Sequence, residues 1–408
     1  MPVLATARSR AGATLLGAVT AATLVAAAPA AAQPAPADSV LTWYDTTAAA
    51  IATGGAATQV TNNRTWAIAW LAGARAQTGT HSAVGQRAAL AGAVHQTLIT
   101  LIPGQQAAAD ATLATELAAL PDRRQVRDGV AAGRAAAQRL IAERTGDGLD
   151  PASVNAPFTV PAAAPGVWQP TPPLFPAATQ YGNRVARPFV LRSASQFRPV
   201  APPALGSPRY EADLAEVRAY GSAASTLRTQ AQTDTATFWL GSSLTLYTPI
   251  LRAAVAQSPA SIADRTRLIA LFHVASVDTQ IATSDAKYAY QRWRPVTAIQ
   301  AGGDTSWLPL HTTPAHPDYP SGHNTYSGAA EGVLTGLTGP HARQPYTIGS
   351  PSAPGVTRTY TDWHQPSVEN VDARVWSGIH TRNADLAGIR LGSDVARYVL
   401  SHAQPLLR

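Results

Sequence analysis

The chain has 408 residues, 46 % of them hydrophobic, which is enough for a sizeable core, and its formal charge is +7. That excess is mild for the length and comes with no Lys/Arg-rich run or aromatic-interleaved basic patch, which speaks against nucleic acid as a partner. Cysteine is absent, which excludes disulfides, thiolate metal sites and a cysteine nucleophile.

Arg8 and Arg10, an apolar stretch over residues 11–28 and Ala30-Ala31-Ala32 before Gln33 read as a secretory signal spanning residues 1–32. The chain is therefore expected to be exported, to the periplasm or beyond the cell, and cleaved. No later run approaches the roughly 20 apolar residues that cross a bilayer, so the mature chain carries no membrane span. Residues 33–150 read as a helical scaffold. Apolar residues recur there at three and four spacing over Leu41–Ala52, Thr65–Gln77, Ser82–Leu101, Gln105–Leu120 and Arg123–Ala142, with breaks at Pro103-Gly104 and Pro121-Asp122. Residues 151–208 hold too many prolines for a helix, from Pro161 to Pro208. Trp168, Phe175, Phe189 and Phe197 are interleaved with them, so an ordered connector wrapped over the helices is expected rather than a disordered linker. Helical patterns resume in residues 209–408, over Tyr210–Ala231, Asp234–Gln257, Ser261–Trp293, Gly322–Leu337 and Gly378–Leu400. Strand-like alternation is almost absent, and the fold class is all-α.

Three motifs in the last third carry the chemistry. Lys287 and Arg294 are two helical turns apart and share a face, with Pro295 placing Arg294 at a helix end. Tyr288, Tyr290 and Trp293 between them argue for burial, and two buried cations call for an anion. Pro320-Ser321-Gly322-His323 precedes a small-residue run and reads as a helix entry with Ser321 at the cap position. Free amides and the positive dipole end there suit an anion, and Gly322 lets it approach the backbone. Arg374 and His380 are six apart, which is not a shared helical face, and converge only if Gly378 marks a break. No HExxH and no Gly-x-Ser-x-Gly is present, which argues against zinc and serine hydrolysis.

In order and internal spacing these motifs resemble the superfamily of vanadium-dependent haloperoxidases and type 2 phosphatidic acid phosphatases, and the long exported chain resembles its bacterial haloperoxidase-like branch. The resemblance implies a helical bundle of the haloperoxidase and acid phosphatase type with a Pro-rich irregular belt. It also implies vanadate as cofactor. Lys287, Arg294 and Arg374 would bind the equatorial oxygens, and Ser321 and the Gly322 amide would complete that shell. His380 would be the axial ligand of vanadium, and His323 the acid/base at the opposite apex. Glu369-Asn370 stands where the haloperoxidases carry Glu-Asn. His316, seven before His323, takes a tuning role that favours bromide over chloride. The implied partners are hydrogen peroxide and halide.

Two alternatives stay open on the same residues. One is an exported acid phosphatase that cleaves a phosphate ester through a phosphohistidine on His380; the other is an oxyanion-binding protein without turnover. Two departures from the pattern motivate the second: Ala373 stands in place of serine, and Ala384 in place of the aspartate one turn after the axial histidine. Asp385 is one position further on, rotated about 100° on a regular helix. His380 is thus expected to lack its supporting carboxylate, and vanadate binding to be weaker for it.

Overall fold

The computed structural model describes residues 38–408; the secretory signal expected over residues 1–32 lies outside them. The first helices begin where short polar side chains can cap them. Asp38 accepts from the Val40 and Leu41 amides at the start of α1 (Ser39–Gly54), and after α2 (Gln59–Gln77) Ser82 accepts from Gly85 to open α3 (Ala83–Leu101). α4 (Gln106–Ala118) follows, then α5 (Arg123–Glu143), capped by Asp122, and the short α6 (Pro151–Val154).

Beyond the Pro-rich stretch come α7 (Pro208–Tyr220), α8 (Gln230–Phe238), α9 (Ser243–Gln257), α10 (Ile262–Tyr290), α11 (Pro295–Ala301) and α12 (Gly322–Thr338). An antiparallel hairpin, β1 (His341–Ser350) and β2 (Ala353–Asp362), precedes α13 (Gln365–Trp376), α14 (Arg382–Ser401) and the short α15 (Ala403–Leu406). With 61 % of residues helical and one two-stranded sheet among those described, the fold is the expected all-α class. None of the described helices is long and apolar enough to cross a membrane.

α10 is the spine. Nearly every residue from Leu268 to Tyr288 is buried, so the helix has no solvent face and is enclosed by its neighbours. One continuous core joins side chains of α1, α2 and α3 to those of α9, α10, α12 and α14. α12 and α14 pack almost backbone to backbone: a Cβ on Gly392 would lie 2.6 Å from the Ala329 amide nitrogen. At the start of α12 a Cβ on Gly388 would lie 2.8 Å from the Ser321 carbonyl oxygen.

The Pro-rich stretch lies on the far end of α10 and is fastened to it. Asp278 accepts from three consecutive amides, Phe189, Val190 and Leu191, at 2.7, 2.8 and 2.9 Å. Arg198 makes a bidentate pair with Asp285. The hydroxyls of Tyr288, Tyr290 and Tyr319 donate to the carbonyls of Thr179, Pro199 and Val200.

Four local expectations are corrected. The helix expected over Tyr210–Ala231 stops at Tyr220, where Gly221 caps it. The pattern over Asp234–Gln257 is two helices broken at Trp239–Ser242. The segment 341–376 holds the hairpin and α13, neither of which was expected. Finally, α14 starts at Arg382 with Thr381 as its cap, so His380 lies outside the helix.

Candidate active site

Lys287 lies in the last turn of α10 and is 1 % exposed; its Nζ donates to the carbonyls of Pro317 (2.6 Å) and Asp318 (3.1 Å). Extended backbone at Arg294, imposed by Pro295, turns that side chain back into the same space. Its guanidinium is fully buried and donates to the carbonyls of His316 (2.7 Å), Ile379 (2.6 Å) and Pro314 (3.1 Å). Two of its nitrogens also face imidazoles: Nη2 lies 3.0 Å from His316 Nδ1, and Nη1 lies 3.2 Å from His380 Nε2.

The remaining residues arrive from two further segments. Ser321 holds the cap position of α12, but its hydroxyl does not cap the helix; it is buried and makes no hydrogen bond. Gly322 follows with open space above it, since an added Cβ would meet only Lys287 Cε, at 3.9 Å. His323 Nε2 donates to the Gly241 carbonyl at 2.9 Å, which leaves Nδ1 as the acceptor nitrogen. Arg374, in the last turn of α13, donates through Nη1 to the Trp239 carbonyl at 3.1 Å, while its Nε is buried without a partner.

Gly378 lets Arg374 and His380 converge. With φ at +77° it reverses the chain between α13 and His380, and it sits against Gly221, where a Cβ would come within 2.5 Å of Gly378 Cα. The candidate residues cluster in the buried interior: Arg294 reaches His316 and His380, Lys287 lies under Gly322, and the charges of Lys287, Arg294 and Arg374 act on both His323 and His380. Among the described residues, none of the hydrogen bonds to these side chains comes from α1 to α5.

Electrostatics make that space hungry for an anion. Burial lowers the pKa of Arg294 and Arg374 to about 10, and burial beside Arg294 pushes Lys287 well below its ordinary value. Burial with Arg374 close by holds His323 near 3, so it is neutral, and His316 and His380 are pushed well down by burial and the surrounding cations. Two carboxyls are at hand, Asp318, 4.0 Å from Arg294, and Asp385, which burial raises well above the carboxylate range. Three buried cations against that little negative charge are stabilised by an oxyanion. A tetrahedral oxyanion such as vanadate or phosphate fits. Gly322 leaves room beside the Lys287 side chain, and Arg374 Nε is a buried donor without a partner.

The expectation that His380 lacks a carboxylate is overturned. Asp318 Oδ1 accepts from His380 Nδ1 at 2.6 Å, both side chains being almost wholly buried. Asp385 instead accepts from Asn324 at 2.8 Å, and Ala384 packs against Tyr319 and Ala387. The helical offset that disqualified Asp385 does not apply, because His380 precedes the helix. Glu369 and Asn370 stand one layer back. Glu369 accepts from Trp239 Nε1 (3.0 Å) and so props the turn between α8 and α9 whose Trp239 carbonyl takes Arg374, and Asn370 donates to Ser327. Asp318, Trp239 and Gly241 escaped the sequence reading. Only Asp318 carried a signal, as a lone acid between two prolines ahead of the Ser-Gly-His motif.

Residues 267–408 match the family model of the VCPO second helical-bundle domain. Vanadium chloroperoxidase of Curvularia inaequalis is 28 % identical over a match covering 31 % of this chain and 29 % of that protein, so the chain matches less than a third of its relative's length. A bacterial vanadium-dependent iodoperoxidase superposes with a TM-score of 0.76 at 24 % identity, covering 89 % of this chain and 95 % of that one. A bacterial vanadium-dependent chloroperoxidase superposes with a TM-score of 0.64 at 14 % identity, covering 90 % and 93 %. Residues 267–408 therefore match a haloperoxidase helical-bundle domain, and the fold of the chain is that of the solved vanadium-dependent haloperoxidases.

Proposed function

We propose that the protein is an exported vanadium-dependent haloperoxidase that binds vanadate and uses hydrogen peroxide to oxidise halide, bromide in preference to chloride. The observation that carries this reading is the meeting of three buried cations with two neutral imidazoles around the open space at Gly322. Lys287, Arg294, Arg374, Ser321 and the Gly322 amide would hold the oxyanion, and His380 Nε2 would ligate it. Bound there, vanadate supplies the Lewis-acidic centre that makes peroxide reactive toward halide.

The chain's own groups do the rest. The cations fix the anion's charge without reorganising, because backbone carbonyls already set their directions. His323, with Nε2 tied to Gly241, offers Nδ1 to take the proton that hydrogen peroxide gives up and to return it to a departing oxygen. His316, hydrogen-bonded to Arg294, tunes that cation and borders the space where halide would approach. The same His380, neutral and held by Asp318, would also serve as a nucleophile toward phosphorus, which keeps the phosphatase as the second reading.

The test incubates purified protein with vanadate, hydrogen peroxide and bromide and follows bromination of a phenol dye. A parallel sample receives a chromogenic phosphate monoester without vanadate. Vanadate-dependent bromination is expected. Phosphate release with no bromination would replace the reading with the phosphatase, and anion binding with neither activity would leave a binding protein.

A further inference from the structure

We propose that Asp318 is the positioning residue for His380, a carboxylate supplied by the loop ahead of α12 that orients the imidazole toward a bound oxyanion. This rests on the oxyanion site described above and specifies how this chain builds it. Asp318 is pinned through both oxygens. Oδ1 takes the His380 Nδ1 proton at 2.6 Å, and Oδ2 accepts from Thr381 Oγ1 at 2.9 Å. Its backbone is held as well: the amide donates to the Arg292 carbonyl at 2.9 Å, and the carbonyl accepts from Lys287 Nζ at 3.1 Å. Asp318, two residues ahead of the Pro320–His323 motif, thus touches the segments of the other two, at Lys287 and Arg292 and at His380.

The consequence is chemical. An acceptor at Nδ1 places the ring's proton there and leaves the Nε2 lone pair bare, the form a metal ligand or nucleophile requires. Nε2 lies 3.2 Å from Arg294 Nη1, so the lone pair faces the cation lining the anion space. No other carboxylate does this work, since Asp385 is engaged by Asn324 and position 384 is an alanine in an apolar cluster.

The experiment compares Asp318→Ala and Asp318→Asn with the wild type. Binding of inorganic vanadate and inorganic phosphate to the purified protein is measured by titration calorimetry, and the His380 tautomer is read from ¹⁵N-histidine spectra, with His380→Gln for assignment. Asp318→Ala is expected to weaken vanadate about 10- to 100-fold, the usual effect of removing a metal ligand's hydrogen-bond partner. Phosphate should be unaffected or bind more tightly, because a negative charge 4.0 Å from Arg294 has gone. Asp318→Asn keeps an acceptor and should lose less than about tenfold for vanadate. Collapse of the site would weaken both anions alike, and that result, or unchanged vanadate binding, would overturn the proposal. If the wild type itself prefers phosphate, the haloperoxidase reading fails separately. The tautomer then decides: loss of the Nδ1 proton signal in Asp318→Ala supports the role, and its persistence refutes it.

Discussion

Gly221→Ala tests whether the glycine contact under the site sets the geometry of Arg374 and His380. Gly221 has φ −87°, which any residue adopts, so the substitution adds no backbone strain and acts only through space. The new Cβ would lie 2.5 Å from Gly378 Cα and 2.9 Å from the Val375 carbonyl oxygen. The turn at 377–379 must therefore move away by about 0.5 Å to reach 3.0 Å, and by about 0.9 Å to reach ordinary contact. Overpacking of this kind costs about 1–3 kcal/mol of stability. A shift approaching 1 Å at a catalytic side chain costs up to about 100-fold in rate. Gly339→Ala is the control: its φ of +86° with ψ 168° is a conformation nearly restricted to glycine, with a strain cost of about 1–3 kcal/mol, but nothing lies within 4 Å of the added Cβ. Thermal denaturation and phosphate titration of both variants separate the effects. Both should melt earlier, and only Gly221→Ala should lose affinity and turnover. A Gly221→Ala protein that binds and turns over like the wild type would refute the reasoning.

His380→Ala should abolish turnover while phosphate binding survives, since Lys287, Arg294 and Arg374 remain; Arg374→Ala should weaken phosphate binding itself, and calorimetry beside the bromination assay distinguishes the two. Ala384→Asp, which would restore the superfamily pattern, should instead destabilise the fold by about 3 kcal/mol or more, read by denaturant melting, because it buries an unpaired carboxylate against Tyr319 and Ala387. His273 is buried and held well below its ordinary pKa of about 6.5 by that burial. The unfolded chain takes up a proton below about pH 6.5 that the folded one refuses, so stability is complete above that pH and falls by about 1.4 kcal/mol per unit as the solution is acidified toward the folded-state value. His273→Phe keeps the stack on Trp66 and should flatten the pH-stability curve by one proton; an unchanged slope would show that His273 titrates freely. Asp278→Ala strands three amides and should cost about 3 kcal/mol or more, with protease cutting appearing between residues 179 and 203.

The site was legible where function constrains neighbours in sequence. Lys287 and Arg294 share a helical face, and Ser321, Gly322 and His323 form one helix entry, so short-range spacing carries their arrangement. Asp318 was not legible as the partner of His380, because the pairing joins residues 62 apart through a loop whose path no periodicity records. The helical expectation after Gly378 failed for a related reason: apolar spacing continues across the turn, while the Thr381 cap that starts α14 is a local hydrogen bond to Ala384. The hairpin was missed because alternation on β1 is confined to Tyr346, Ile348 and Ser350, and β2 buries only Tyr360. Over α1 and α3 to α5, apolar spacing fixed each helix to within two residues, but α2 begins at Gln59, six residues before the expected Thr65, because most of the helix is buried and shows no single apolar face.

The fastening of the Pro-rich stretch to α10 has a consequence for how freely that stretch can change. Many of its anchors are main-chain atoms, the amides of 189–191 and the carbonyls of Thr179, Pro199 and Val200, and the side chains that meet them are supplied by Asp278, Tyr288, Tyr290 and Tyr319. Strap side chains also reach across: Arg198 to Asp285, Thr179 to the Ala315 carbonyl, Arg187 to the Glu143 carbonyl, and the rings of Phe158 and Tyr181 to Tyr288. At 189–191, 199 and 200 the strap is thus held by its path, while Phe158, Tyr181 and Arg198 hold it by their side chains. Exposed strap positions such as Leu174 and Val185 can be rewritten, tagged or lengthened while Asp278 and the tyrosines keep the backbone in place, which makes them the natural points for attaching a label without disturbing Lys287.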